Sequence, residues 1–147
     1  MEKEMSINKP IVFDKKVRDS IECNRQGLKH LYWELFDSPD SPGSAFRYME
    51  REPILILDDI VTEFDKYKPK IELAYVSKYY GDLLGLPSSS PHRIGKAIRF
   101  RTTNPKQRMF IVTELIRRGV SRIGVGREHV YFDTDNYLKK DALYVQS

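Results

Sequence analysis

Asn104-Pro105 opens a helix and Gly119 ends it, with a short strand pattern on either side. Asn is a strong N-cap, and Pro suits the first helical position because its missing N–H is not needed there. Gly supplies the left-handed residue on which helices stop. Upstream, residues 96–100 alternate, with Ala97 and Arg99 on one face and Ile98 and Phe100 on the other. Downstream, residues 122–125 and 128–133 read as a hairpin around Gly126. This order predicts an α+β fold, a mainly antiparallel sheet packed against helices. The spacing predicts Met109, Val112, Leu115 and Ile116 as the helix's buried stripe.

The remaining segments fit that frame. Residues 1–26 show no sustained period and read as an N-terminal arm, with Pro10 starting a short edge strand, and 27–147 read as a single domain. Leu28, Leu31, Trp33, Leu35 and Phe36, with Tyr32, form an aromatic-rich core segment, and His30 reads as a surface residue. Residues 37–44, DSPDSPGS, read as a turn-rich loop. A helix over 49–66 is predicted to bury Leu57, Ile60, Val61 and Phe64 and to turn Asp58, Asp59 and Glu63 outward. Residues 70–76 read as a strand burying Ile71, Leu73 and Tyr75, 77–84 as a short helix, and 143–145 as a closing edge strand.

Several chemistries are excluded early. Cys23 is the single cysteine, so no intramolecular disulfide and no thiolate-rich zinc site forms. Ser88-Ser89-Ser90 reads as a loop, and Gly124-Val125-Gly126 is too short for a dinucleotide fingerprint. The charged opening and the short aliphatic runs argue against a signal peptide or a transmembrane helix. Net charge is +4, yet residues 85–127 hold ten Lys or Arg against Glu114 alone, or +9. Such a face is either solvated or a dock for an acidic partner, with Arg93, Arg101, Lys106, Arg117 and Arg118 as candidate contacts. No RNA-binding or helix-turn-helix pattern supports nucleic acid.

Four pieces, in order, carry a resemblance. They are the loop FDSPDSPGS, the run Ser90-Pro-His92-Arg-Ile-Gly95-Lys-Ala97, the helix end LIRRGVSRIGV and the tail VYFDTD. Together they resemble the D-alanyl-D-alanine carboxypeptidase-like zinc peptidases. That family includes the L-alanyl-D-glutamate endopeptidases of phage lysis systems and shares the hedgehog-type fold.

The resemblance implies a zinc held by histidine, aspartate and histidine, at positions occupied here by His92, Arg99 and Tyr131. Arg offers no lone pair, and Tyr ligates only as phenolate, against an ordinary pKa of about 10. The expectation is therefore a non-catalytic member with no cofactor, a structural or interaction module such as an auxiliary capsid or tail protein. Arg99 is expected to fill the old metal position and to pair with Asp133. One alternative keeps an active zinc peptidoglycan peptidase with rearranged ligands on His92, His129 and Asp133. Another is a binder of cell-wall peptide that does not cut it.

Overall fold

The computed structural model describes residues 28–63 and 68–135, and the backbone of 142–145. The N-terminal arm, Cys23 and Phe64 lie outside the described residues. The elements are a 3-10 turn Trp33–Phe36, then α1 Ser44–Tyr48, α2 Arg51–Val61, β1 Lys70–Leu73, α3 Lys78–Leu84 and β2 Ala97–Arg101. They are followed by α4 Pro105–Arg117, β3 Arg122–Val125, β4 His129–Asp133 and β5 Ala142–Val145. The sheet order is β1-β2-β4-β3-β5. The first four strands pair antiparallel, and β5 adds to β3 in parallel.

One face of the sheet carries the core. Ile98, Phe100, Val130 and Phe132 meet Ile54, Leu57 and Ile60 of α2 and Ile111 and Leu115 of α4, all fully buried. Phe100 and Phe132 meet edge to face at 6.4 Å. Each buried side chain of this size contributes roughly 1.5–3 kcal/mol over leaving it exposed.

Local chemistry decides where the elements stop. Asn104 caps α4 as expected, accepting from the N–H groups of Lys106 and Gln107. α2 begins two residues later than predicted, because Met49 and Glu50 are extended, and the Glu50 N–H donates to Gly95 O at 2.9 Å. It ends at Val61, not Lys66. There Asp58 O accepts both the Thr62 N–H at 3.1 Å and Thr62 Oγ1 at 2.7 Å, and the Glu63 N–H turns to Ile60 O in a tighter last turn. β1 ends at Leu73 because the next N–H groups turn elsewhere, Tyr75 to Phe36 O and Val76 to His92 O. Ala74 and Val76 are buried there, while Ile71, Leu73 and Tyr75 are only partly covered.

Two expectations about faces are overturned. Asp58 does not point outward: it is 1% exposed, and its carboxylate accepts the N–H groups of Lys29, His30 and Leu31 at 2.6–2.9 Å. One buried side chain thereby tethers the chain leading into Trp33. On α4 Leu115 is buried and Val112 packs on the core as predicted, but Ile111 takes the place of Met109, 73% exposed, and Ile116, 54% exposed. The helix is turned this way because Arg118, one turn beyond Leu115, reaches Asp59 and Glu63 on α2 and also Glu114. Apolar packing and ion pairing then agree on one face.

Asp58→Ala is expected to cost roughly 2–4 kcal/mol, since three N–H groups, that of Leu31 buried, lose their acceptor together. Asp59→Ala, at an exposed ion pair, is expected to cost about 1 kcal/mol or less. Urea unfolding of the two variants beside the parent checks this order.

Candidate functional site

The resembling motif is a set of structural devices. Asp37 accepts the N–H groups of Gly43 and Ala45 at 2.8 and 2.9 Å, closing the DSPDSPGS loop on itself. Ser38 Oγ donates to Asp40 and accepts the Ser77 N–H, which pins the loop to the start of α3. Ser90 Oγ accepts the His92 N–H at 3.3 Å. Gly95 has φ of 73°, and a Cβ there would stand 2.5 Å from Tyr48 O, so only glycine lets the two segments meet. Ala97 is fully buried opposite Asp133.

These devices lay His92 against the sheet face opposite the core. On that face the cross-strand pairs are Ala97 with Asp133 and Arg99 with Tyr131. The His92 ring meets the Tyr131 ring edge on at 5.4 Å. The three positions assigned to ligands by the resemblance, His92, Arg99 and Tyr131, therefore converge. His92 Nδ1 lies 2.8 Å from Ala74 O, and a carbonyl only accepts, so Nδ1 carries the proton. Burial pushes the His92 pKa down to about 4, and Arg99 pushes in the same direction more weakly.

Asp133 is fully engaged. Tyr131 Oη donates to it at 2.6 Å, Arg122 Nε reaches both its oxygens at 3.0 Å, and the Asp135 N–H donates at 3.1 Å. Arg99 does not pair with Asp133 as expected; its Nε donates to Glu72 at 3.2 Å, across a bulge in β1. Arg122, a strand partner of Asp133, takes that place, and its side chain is 16% exposed. A cavity of about 110 Å³ adjoins Asp133, bordered by Glu52, Arg118, Ser121 and Asp135.

These residues do not fit a zinc ion. Arg99 and Tyr131 stand at two ligand positions, and the remaining carboxylate already holds a cation and two further donors. The alternative set is no closer. His129 lies opposite Arg101, two residues along β4 from Tyr131, with its ring against Gly126. No group of three or more His, Cys, Asp or Glu among the described residues is placed to hold a metal.

The candidate partner-binding cations are dispersed. Arg93 is folded inward, bonding Pro87 O, Leu86 O and Asp82. Arg101 pairs with Glu72 and Glu128. Arg118 is held between α2 and α4. Glu114 is pulled down to about 2 by hydrogen bonds from Arg117 and Arg118. Lys106 and Arg117 stand exposed at opposite ends of α4.

No family model and no curated protein sequence matches this chain.

A pH dependence follows from His92. Its pKa is about 4 in the fold and near 6.5 when unfolded, so between these values the unfolded chain binds more protons. The stability it contributes is complete above that window and lost as pH falls through it, by up to about 3 kcal/mol. Urea unfolding across the window, beside His92→Gln, checks the sign: the variant is expected to have the shallower slope.

Proposed function

We propose that this protein is a non-catalytic relative of the zinc peptidases it resembles, used as a structural or interaction module within an assembly such as a phage virion. The observation that carries this reading is the Tyr131–Asp133–Arg122 cluster, closed by a 2.6 Å hydrogen bond at the position the resemblance reserves for metal ligands. Such a site neither binds nor activates the water a peptidase needs. The residues kept from the motif, Asp37, Ser38, Ser90, Gly95 and Ala97, have backbone and packing roles that need no metal. The fold is then available for docking alone, and its basic segment favours an acidic protein surface.

No helix among the described residues is long and apolar enough to cross a membrane. Peptidoglycan binding without cutting stays a secondary reading, supported by the exposed Tyr48 stacked at 5.5 Å on Tyr75.

Protein purified without chelator is expected to contain no stoichiometric zinc, and its melting temperature is expected to be unmoved by EDTA. One zinc per chain and a melt lowered by chelator would overturn the proposal, since a metal bound to the fold stabilises it by mass action. Arg99→Asp with Tyr131→His is expected to create zinc affinity, because His92 keeps Nδ1 on a carbonyl and Nε2 as its lone-pair nitrogen, the posture of a metal ligand. Calorimetric titration with zinc checks it.

A further inference from the structure

α3 is amphipathic in the reverse sense. Of its seven residues only Gly81 is buried, while Tyr79 is 65%, Leu83 64% and Leu84 46% exposed. The inward side is polar. There a Cβ on Gly81 would stand 2.8 Å from Cζ of Arg93, whose guanidinium donates to the carbonyls of Lys78, Leu86 and Pro87 and to Asp82. Ser77 caps the first turn by accepting the Tyr80 N–H, and Gly85 closes the last at φ of 72°. A helix this short does not persist on propensity alone, so the caps and Arg93 hold it in place. Helices normally bury their apolar side, and one held outward marks a surface made to be covered.

We infer that the outer face of α3 is a self-complementary contact that pairs two copies of this chain, helices antiparallel, about a two-fold axis. At about 100° per residue, Tyr79 and Leu83 form the crown of the exposed face. Half-buried Tyr80 and Leu84 lie on one margin, and Lys78 and Asp82 on the other. A two-fold axis crossing between the helices sets each margin against itself in reverse order. Tyr80 then meets the second copy's Leu84, and Lys78 meets its Asp82. A margin with one cation and one anion is matched by its own reverse, whereas a margin of cations alone is repelled. The intrachain Lys78–Asp82 pair spans 3.2 Å between two largely exposed side chains, so it exchanges partners at little cost. Lys78 and Asp82 are the only Lys, Arg, Asp or Glu between residues 77 and 92, so the repulsion expected between copies of net charge +4 is weakest here. With one cation and one anion, the face has no net attraction for an acidic protein or an anionic membrane. The inference goes beyond the docking proposed for the basic segment, since it uses a different and electrically balanced surface. One short helix covers less than the roughly 800 Å² per partner of a standard interface, so the expected dissociation constant is about 10 µM to 1 mM.

The test is analytical ultracentrifugation of the full chain from about 10 µM to about 1 mM, the range the interface size predicts. The parent is expected to pass from monomer to dimer across this range. Leu83→Glu is expected to weaken the dimer tenfold or more, as each substitution enters the interface twice. Tyr79→Ser serves as a second apolar probe, and thermal melts of each variant confirm folding. Lys78→Glu and Asp82→Lys are each expected to weaken pairing several-fold, while an equimolar mixture of the two, or both changes in one chain, restores it. A chain that stays monomeric throughout overturns the inference, whether or not it binds phosphatidylcholine–phosphatidylserine vesicles. So does a dimer unchanged by Leu83→Glu and Tyr79→Ser, or one that neither the mixture nor the doubly substituted chain restores.

Discussion

Asp133 is the residue on which the cleft side of this fold depends. It lies at the end of β4, its side chain is fully buried, and an unpaired carboxylate there would be costly. Three neighbours prevent that: the guanidinium of Arg122, the hydroxyl of Tyr131 and the backbone N–H of Asp135. The strand register makes this possible. Pairing β3 with β4 sets Arg122 beside Asp133, and pairing β2 with β4 sets the small Ala97 on its other side. In a zinc site the cation that compensates buried ligands is the metal. Here it is a side chain of the neighbouring strand, so the compensation is covalently part of the chain.

This arrangement shows how the face opposite the core keeps its shape through contacts within the chain. The loops around it are held by their own hydrogen bonds. Asp37 closes one loop, Ser38 and Ser77 bind that loop to α3, and Gly95 allows the His92 loop to touch the turn after α1. The His92 side chain remains in place because Ala74 O holds Nδ1 and the Tyr131 ring packs beside it. A neutral imidazole is the only form this buried position favours.

The strands, the capped helix and the antiparallel hairpin were legible in the residues because period, cap and turn chemistry all agree there. Asn104, Pro105 and Gly119 act where their chemistry places them. The convergence of His92, Arg99 and Tyr131 was legible too, through motif spacing and strand parity. Three features were not. Asp58 looks like a solvated helix residue, and its role depends on backbone N–H groups 27 to 29 positions away. The partner of Asp133 depends on which strand adds beside β4, which alternation within one strand does not reveal. The buried face of α4 was ambiguous at its edges because Met109 and Ile116 follow helical spacing with Val112 and Leu115 as well as Ile111 does. Arg118, reaching Asp59 and Glu63 on a distant helix, sides with Ile111.

The central claim is that Asp133 is compensated from within the chain. A double-mutant cycle tests it most directly, using Tyr131→Phe, Asp133→Asn and the combination, unfolded in urea with EDTA and again with added zinc. The account predicts a coupling of about 1–3 kcal/mol between the two residues, equal in both conditions. A coupling near zero, or one that depends on zinc, would contradict it.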